Sequence, residues 1–357
     1  KNLLASEQTG VTTELGEPRL LEQARALFRC YLVLNVACAL AYLAVGLAPF
    51  DAVCHAFTTI ATGGYSTRNL SLGAFDSAGV EIVAIVGMAL GGCNFAWLVA
   101  LVRHRGRDAA KVLRQPELQC YFATLCVGLL IATLALWLGG HRVPNGDGVR
   151  DYGGFGRCLR DAAFNVVSVF TSTGFATADY QSWPALALLV LFYGMLVGGC
   201  TGSTSGGLKV LRVVISAKLA TFHGRRFMRP KSVERLKLGG EVLADPVVSA
   251  VLAMVVLWLA LVGIGAMVYA SDGRLHLQDC LTVSAAMLGN TGPALSPVVV
   301  ADGTAQLVGT GALNLGPYGS YGDLPASLKL WACLQMVVGR LELMVLLVLL
   351  SPRFWRS

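Results

Sequence analysis

Residues 51–67 read DAVCHAFTTIATGGYST, residues 161–177 read DAAFNVVSVFTSTGFAT, and residues 279–295 read DCLTVSAAMLGNTGPAL. Aligned on Asp51, Asp161 and Asp279, they place Gly64, Gly174 and Gly292 thirteen residues later without a gap. The apolar parts, 51–61, 161–171 and 279–289, are each about a dozen residues long. A bilayer crossing takes about 20 apolar residues, so these segments are too short to span and too apolar to lie in water. Each sits between longer apolar runs, and a re-entrant half-helix satisfies both constraints. The repeat spacing is 110 and 118 residues, and each unit reads span, half-helix, glycine loop, span.

Such a unit favours a cation at its centre. An acidic residue in the first turn complements the positive end of a helix. About ten residues later the half-helix ends, and its unpaired carbonyls and negative dipole end point to the middle of the membrane. The glycine lets the backbone leave the helix in a conformation other residues avoid, so carbonyl oxygens can face a narrow axis and replace the hydration shell of an alkali cation. Thr62, Thr173 and Thr291 add hydroxyls nearby.

Composition agrees with a membrane setting. Of 357 residues, 55% are apolar and 14% charged, and mean hydropathy is +0.63. A soluble domain carries about 25% charged residues, which argues against a soluble enzyme. Six apolar runs are expected to span: 27–48, 80–102, 118–138, 184–197, 247–270 and 326–350. The formal charge of +7 is one-sided. Five Lys or Arg lie in 103–114, and nine lie in 209–237 with Glu234 the only acid. By contrast, 294–325 has two Asp and no Lys or Arg. The basic segments are therefore expected on the cytoplasmic side; their interleaving with spans favours lipid headgroups or a cytoplasmic partner, and no nucleic acid. The ten Cys form no CxxC pair and the five His no metal-spaced pattern, so thiols inside apolar runs read as small hydrophobes. His55 is expected to pack behind the filter, and Glu81 to be interfacial.

The fourth run ends in Gly198-Gly199-Cys200-Thr201-Gly202-Ser203-Thr204-Ser205-Gly206-Gly207. A helix continues poorly through such residues, so this is a broken span whose backbone must face protein or water. A phosphate-loop reading fails, because Gly207-Leu208-Lys209-Val210 lacks the required Gly-Lys-Ser/Thr.

These residues resemble the Trk/Ktr/HKT superfamily of cation transporters, and within it the Trk-type potassium-uptake membrane subunits. The carriers are 57–67, 171–179 before Trp183-Pro184, 198–209, Asn290-Thr-Gly-Pro293 and Gly339-Arg-Leu-Glu342, and the match runs from about Glu17 to the end. The resemblance implies an all-α membrane protein built like a potassium channel folded from one chain, with pore units around a pseudo-fourfold axis, three of the four being present. It implies that Gly64, Gly174 and Gly292 are the filter glycines of the second, third and fourth repeats. Potassium would then be held by Thr62, Gly63 and Gly64, by Thr173, Gly174 and Phe175, and by Asn290, Thr291 and Gly292. Gly198, Gly199, Gly202, Ser203, Thr204, Gly206 and Gly207 would form an intramembrane gate, with Arg340 beside it as an electrostatic barrier. The implied setting is the bacterial inner membrane, as a homodimer with a cytosolic nucleotide-binding regulatory subunit (TrkA-like).

On this reading 1–26 is a cytoplasmic connection, 27–102 the second repeat and 103–117 a cytoplasmic basic loop. The third repeat, with its broken second span, covers 118–223; a second basic loop covers 224–243, and the fourth repeat 244–357. A first repeat would place its glycine about fifty residues before Lys1, so the chain is expected to be part of a longer protein. The primary reading is potassium uptake, passive or proton-coupled; the competing readings are a sodium-permeable transporter of the same fold and a secondary transporter of an organic solute. The last would want half-helix N-termini or buried cations facing the site. A membrane enzyme would need a clustered acid, base, nucleophile or metal set, and none is present in the sequence.

Overall fold

The structure is a computed structural model. It describes residues 17–103, 109–139, 142–145, 148–228, 236–239, 241–301, 304–308 and 313–341. Twelve α-helices make up the described fold, with three two-stranded antiparallel ribbons as the sheet structure among these residues. The expected tripartite organisation is visible in the element order.

The Asp51 unit comprises α1 (Glu17–Ala44), the half-helix α2 (Pro49–Ile60), α3 (Ala78–Gly91) and α4 (Phe95–Arg103). Pro49 opens α2 at a position where its missing N–H costs nothing, and Asp51 sits in the first turn. After α5 (Ala109–Leu113), the Asp161 unit runs through α6 (Pro116–Gly139), the half-helix α7 (Phe155–Phe170) and α8 (Ala185–Val197), then through a loop into α9 (Val210–Met228). The Asp279 unit is α10 (Asp245–Tyr269), the half-helix α11 (Leu277–Gly289) and α12 (Ala326–Arg340). The ribbons are β1 (Arg142–Asn145) with β2 (Gly148–Asp151), β3 (Lys237–Leu238) with β4 (Glu241–Val242), and β5 (Val298–Ala301) with β6 (Thr304–Leu307).

Among the described residues α1, α6 and α10 are long and apolar enough to cross a membrane, and α3 with α4 makes a fourth candidate bent by 100°. The expected single span 80–102 is thus broken: Gly91 and Gly92 end α3, and Asn94 starts α4 with its side chain accepting from Ala96 N. The expected basic loop from 224 begins inside α9, which stays helical to Met228, and α1 already starts at Glu17. The second half of the run 326–350, with Glu342, lies outside the described residues, as do 1–16, 104–108 and 229–235.

The units pack side by side, with α3 against α7 and α8 against α11. The middle unit is enclosed: along α7 Phe164, Val166, Val169 and Phe170 are all buried. The outer half-helices keep apolar faces open, with Phe50, Val53 and Phe57 exposed on α2 and Leu277 and Leu281 on α11. In water such faces would be unusual.

Candidate ion filter and gate

The three half-helices leave the helical conformation in the same way. Thr62, Ser172 and Asn290 have φ of 50°, 54° and 54°, and two residues later Gly64, Gly174 and Gly292 have φ of 66°, 81° and 95°. The residue between each pair is not left-handed. This alternation turns successive peptide planes to the same side, whereas an extended strand would alternate them. The left-handed region is unfavourable for Thr and Ser, so the geometry is imposed by the surroundings.

The filter segments stand in contact around an axis. A Cβ on Gly64 would collide with the carbonyl oxygen of Thr173, and one on Gly174 with that of Thr291. A Cβ on Gly292 would meet nothing within 4 Å. The order is therefore 64, 174, 292, with an opening beyond the last. Gly63 adjoins Tyr65 and Thr58, Phe175 is fully buried behind the filter, and Thr62, Thr173 and Thr291 are buried at its inner end.

Side chains of the half-helices hold these loops from behind. Seven residues after the aspartate, Thr58 Oγ1 donates to the Tyr65 carbonyl at 2.9 Å and Ser168 Oγ to that of Phe175 at 2.7 Å. The Asp279 unit has Ala286 at this register; there Tyr321 donates its hydroxyl to the Gly292 carbonyl at 2.7 Å. His55 bridges the Asp51 carbonyl (2.7 Å) and Ser66 Oγ (2.9 Å) against Phe75 and Phe175, which agrees with its expected place behind the filter.

The repeated aspartates differ in role. Asp51 accepts from Thr67 Oγ1 at 2.6 Å and Arg68 at 3.0 Å, fastening the loop after the filter to the half-helix start. Asp279 closes a capping box with the His276 backbone N–H. Asp161 corrects the first-turn expectation: α7 starts at Phe155, so the carboxylate lies beyond that turn and pairs instead with Arg150 at 2.6 Å. Glu81 likewise departs from the interfacial expectation; it is buried and bonded by Arg160 Nε at 2.7 Å and Nη2 at 2.9 Å. Asp179, in the loop outside the spans, has its carboxyl pushed up by burial and partly restored by Gln181.

The candidate gate lies at the inner ends of all three half-helices. Thr204 Oγ1 donates to the Ile60 carbonyl at 2.9 Å, and its N–H to that of Gly91 at 3.2 Å. Ser205 Oγ shares a hydrogen bond of 3.1 Å with Ser172 Oγ. Gly206 passes so close to α11 that a Cβ there would strike the Gly289 carbonyl oxygen. Cys200 N–H donates to the Gly92 carbonyl at 2.9 Å, and the Gly202 carbonyl accepts from Phe95 N at 3.1 Å. The break between α3 and α4 thus supplies the loop's backbone partners. Gly199 and Gly207 mark the strand-like return into α9, where Val210 N–H reaches the Gly199 carbonyl, Gly198 abuts Gly206, and Ser203 Oγ turns back to Cys200 O. Arg340, in the last turn of α12, donates through Nη1 to the Thr204 carbonyl. Filter and loop residues are therefore brought together; Glu342 is outside the described residues. Among those residues no three His, Cys, Asp or Glu side chains are grouped to hold a metal. Sequence reasoning missed Thr58, Ser168, Tyr321 and Glu117. The shared hydroxyl register of Thr58 and Ser168 was the available signal for the first two.

Comparison with known proteins agrees with this architecture. The family model described as TrkH, cation transport protein, matches residues 6–356. The Trk system potassium uptake protein TrkH of Halomonas elongata is 34% identical over 343 residues, covering 95% of this chain and 64% of the relative. TrkH of Escherichia coli K12 is 32% identical with the same coverage, and TrkG of that organism 30% identical over 342 residues. The crystal structure of the potassium transporter TrkH from Vibrio parahaemolyticus superposes with a TM-score of 0.80 at 29% identity, covering 99% of this chain and 69% of that one. The chain spans about 64% of the length of the curated relatives it matches first. With a match along nearly its whole length, the chain belongs to the TrkH family of cation transport proteins, multi-pass membrane proteins rather than enzymes.

Proposed function

We propose that this chain supplies three of the four walls of a potassium-uptake pore in the bacterial inner membrane. Potassium crosses as cargo, losing water to carbonyl oxygens at Thr62–Gly64, Thr173–Phe175 and Asn290–Gly292. The observation that carries this reading is the threefold recurrence of alternating backbone handedness at the ends of half-helices that converge on one axis. Negative helix ends and directed carbonyls favour a desolvated cation and offer nothing to an anionic or organic solute. The names of the relatives support potassium as the ion. The pore units correspond to 27–102, 118–223 and 244–357.

The glycine-rich loop acts as the gate, and Arg340 anchors it while placing positive charge beneath the filter. The basic α9 faces the side on which a cytosolic nucleotide-binding regulatory subunit would dock, and a homodimer would cover lipid-side apolar surface. Rubidium uptake into potassium-deficient cells tests the pore assignment. The parent restores uptake, and Gly174→Ser lowers the preference for rubidium over sodium at least tenfold, since a side chain there meets the Thr291 carbonyl. Equal sodium flux in the parent would favour the sodium reading. Uptake and preference indifferent to Gly174 would remove the filter from the mechanism.

A further inference from the structure

Glu117 opens α6, is buried, and has no part in the filter. Its Oε1 accepts two hydrogen bonds from one residue of the gate loop, Thr201 N–H and Thr201 Oγ1, each at 2.5 Å. Burial excludes the water that would compete for these bonds, so breaking either leaves a buried polar group unpaired. On the far side of the loop the buried Lys209 donates Nζ to the Ser205 carbonyl at 2.7 Å and the Cys200 carbonyl at 3.4 Å. The loop is therefore gripped between a carboxylate on α6 and an ammonium at the head of α9. Thr204 and Ser205, which meet the half-helices, lie between these two grips.

We propose that Glu117 is a positioning residue of the gate, a latch that holds the glycine-rich loop in the pore through Thr201 and couples it, through Lys209, to the cytoplasmic helix α9. The proposal rests on the gate reading of the loop. Contacts with the half-helices alone involve neutral hydroxyls and carbonyls. The two bonds to Glu117 instead tie the loop to α6, away from the ion path. A shift of α9 would drag Lys209 from the Cys200 and Ser205 carbonyls, which flank Thr201 in the loop, so a cytoplasmic displacement would strain the Thr201–Glu117 bonds as it loosened the other grip.

The test measures rubidium flux into liposomes carrying the intact membrane protein without any regulatory subunit. Glu117→Leu is expected to raise this flux roughly tenfold with ion preference unchanged, as loss of two buried hydrogen bonds should disfavour the plugged state by about that factor. Glu117→Gln keeps an acceptor oxygen and should return flux to within about threefold of the parent. Thr201→Val should mimic Glu117→Leu, and the double variant should be no leakier than the more active single one. Ser203→Cys should react faster with a charged thiol reagent when combined with Glu117→Leu. Arg340→Ala separates the two readings. If it raises flux while Glu117→Leu and Thr201→Val leave it unchanged or lower it, the latch is overturned and the gate stands. If neither Arg340→Ala nor a shortened loop changes flux, the gate reading falls and the latch with it. Should Glu117→Leu not fold, Thr201→Val decides alone: parental flux overturns the latch.

Discussion

At the scale of single residues, the proposed filter depends on side chains that hold its loops from behind. Ser168 is buried and ties the Phe175 carbonyl at 2.7 Å, while Thr58 makes the matching bond to Tyr65, a residue largely exposed. Removing a hydroxyl beside a buried carbonyl leaves that acceptor unpaired, at a cost of about 1–3 kcal/mol, whereas water replaces the bond at an exposed one. Ser168→Ala should therefore lower potassium-over-sodium preference severalfold while Thr58→Ala changes it little, as measured by bi-ionic flux in vesicles; equal effects would contradict the asymmetry. These struts show where the sequence stops being legible. The glycines at thirteen residues from each aspartate could be read directly, because backbone freedom leaves a compositional mark. The left-handed Thr62, Ser172 and Asn290 could not, since three different residues adopt one conformation that their neighbours impose. Tyr321, which replaces the missing hydroxyl at Ala286, lies 29 residues beyond the carbonyl it holds, and no local pattern announces it.

At the scale of elements, the broken helices matter most. Apolar periodicity gave 80–102 as one span because both halves are equally apolar; the 100° bend arises from Gly91-Gly92 and from the Asn94 cap, a short polar signal inside a long apolar run. The bend frees the carbonyls of Gly91 and Gly92, which α3 cannot use, and the gate loop takes both. Two breaks in different units thus satisfy each other's backbone, as the absence of water in a membrane demands. The half-helix starts were misjudged for a related reason: Phe155 to Arg160 are less apolar than α7's core, yet they extend the helix outward to Arg150 and Glu81. The last helix carries the other tie to the loop. Arg340 donates to Thr204, the residue that also caps Ile60 and Gly91, so a single guanidinium stabilises the point where loop, α2 and α3 meet. Arg340→Ala should raise cation flux several-fold and leave ion preference intact, whereas Arg340→Lys, with its single point charge in place of a fork, should fall between. Unchanged flux for both variants in a liposome assay would take Arg340 out of the gate.

At the scale of the whole molecule, the proposed filter would require the units to keep their spacing, and several bonds cross between them on the side of the half-helix starts. Between the Asp51 and Asp161 units, Gly73 N–H reaches the Ala176 carbonyl at 3.0 Å, Ser71 Oγ accepts from Ala176 N at 3.2 Å, and Arg160 grips Glu81 with two nitrogens. Between the Asp161 and Asp279 units the work falls to neutral groups: Gln181 accepts from Ser296 N at 3.1 Å and donates to Asn314 at 3.0 Å. The first seam is therefore crossed by an ion pair and the second by the Gln181 amide, which sets different responses to substitution. Arg160→Met strands the Glu81 carboxylate, and with 29% of the Arg160 side chain exposed the loss should be trimmed to about 2 kcal/mol. Replacing both partners, Glu81→Met with Arg160→Met, removes the stranded charge and should recover most of that stability. Gln181→Met should cost about 2–3 kcal/mol, because besides the two bonds across the seam it removes the Nε2 bond to the Asp179 carboxyl at 3.1 Å, and a change at Asn314 brings no recovery. Thermal unfolding in detergent reads the stability order, and bi-ionic flux reads the spacing. If the Arg160 single variant is as stable as the double, the ion pair does not hold the first seam. If either seam is loosened with no change in ion preference, the filter keeps its spacing by backbone contact alone, through the glycine-to-carbonyl approaches at Gly64 and Gly174.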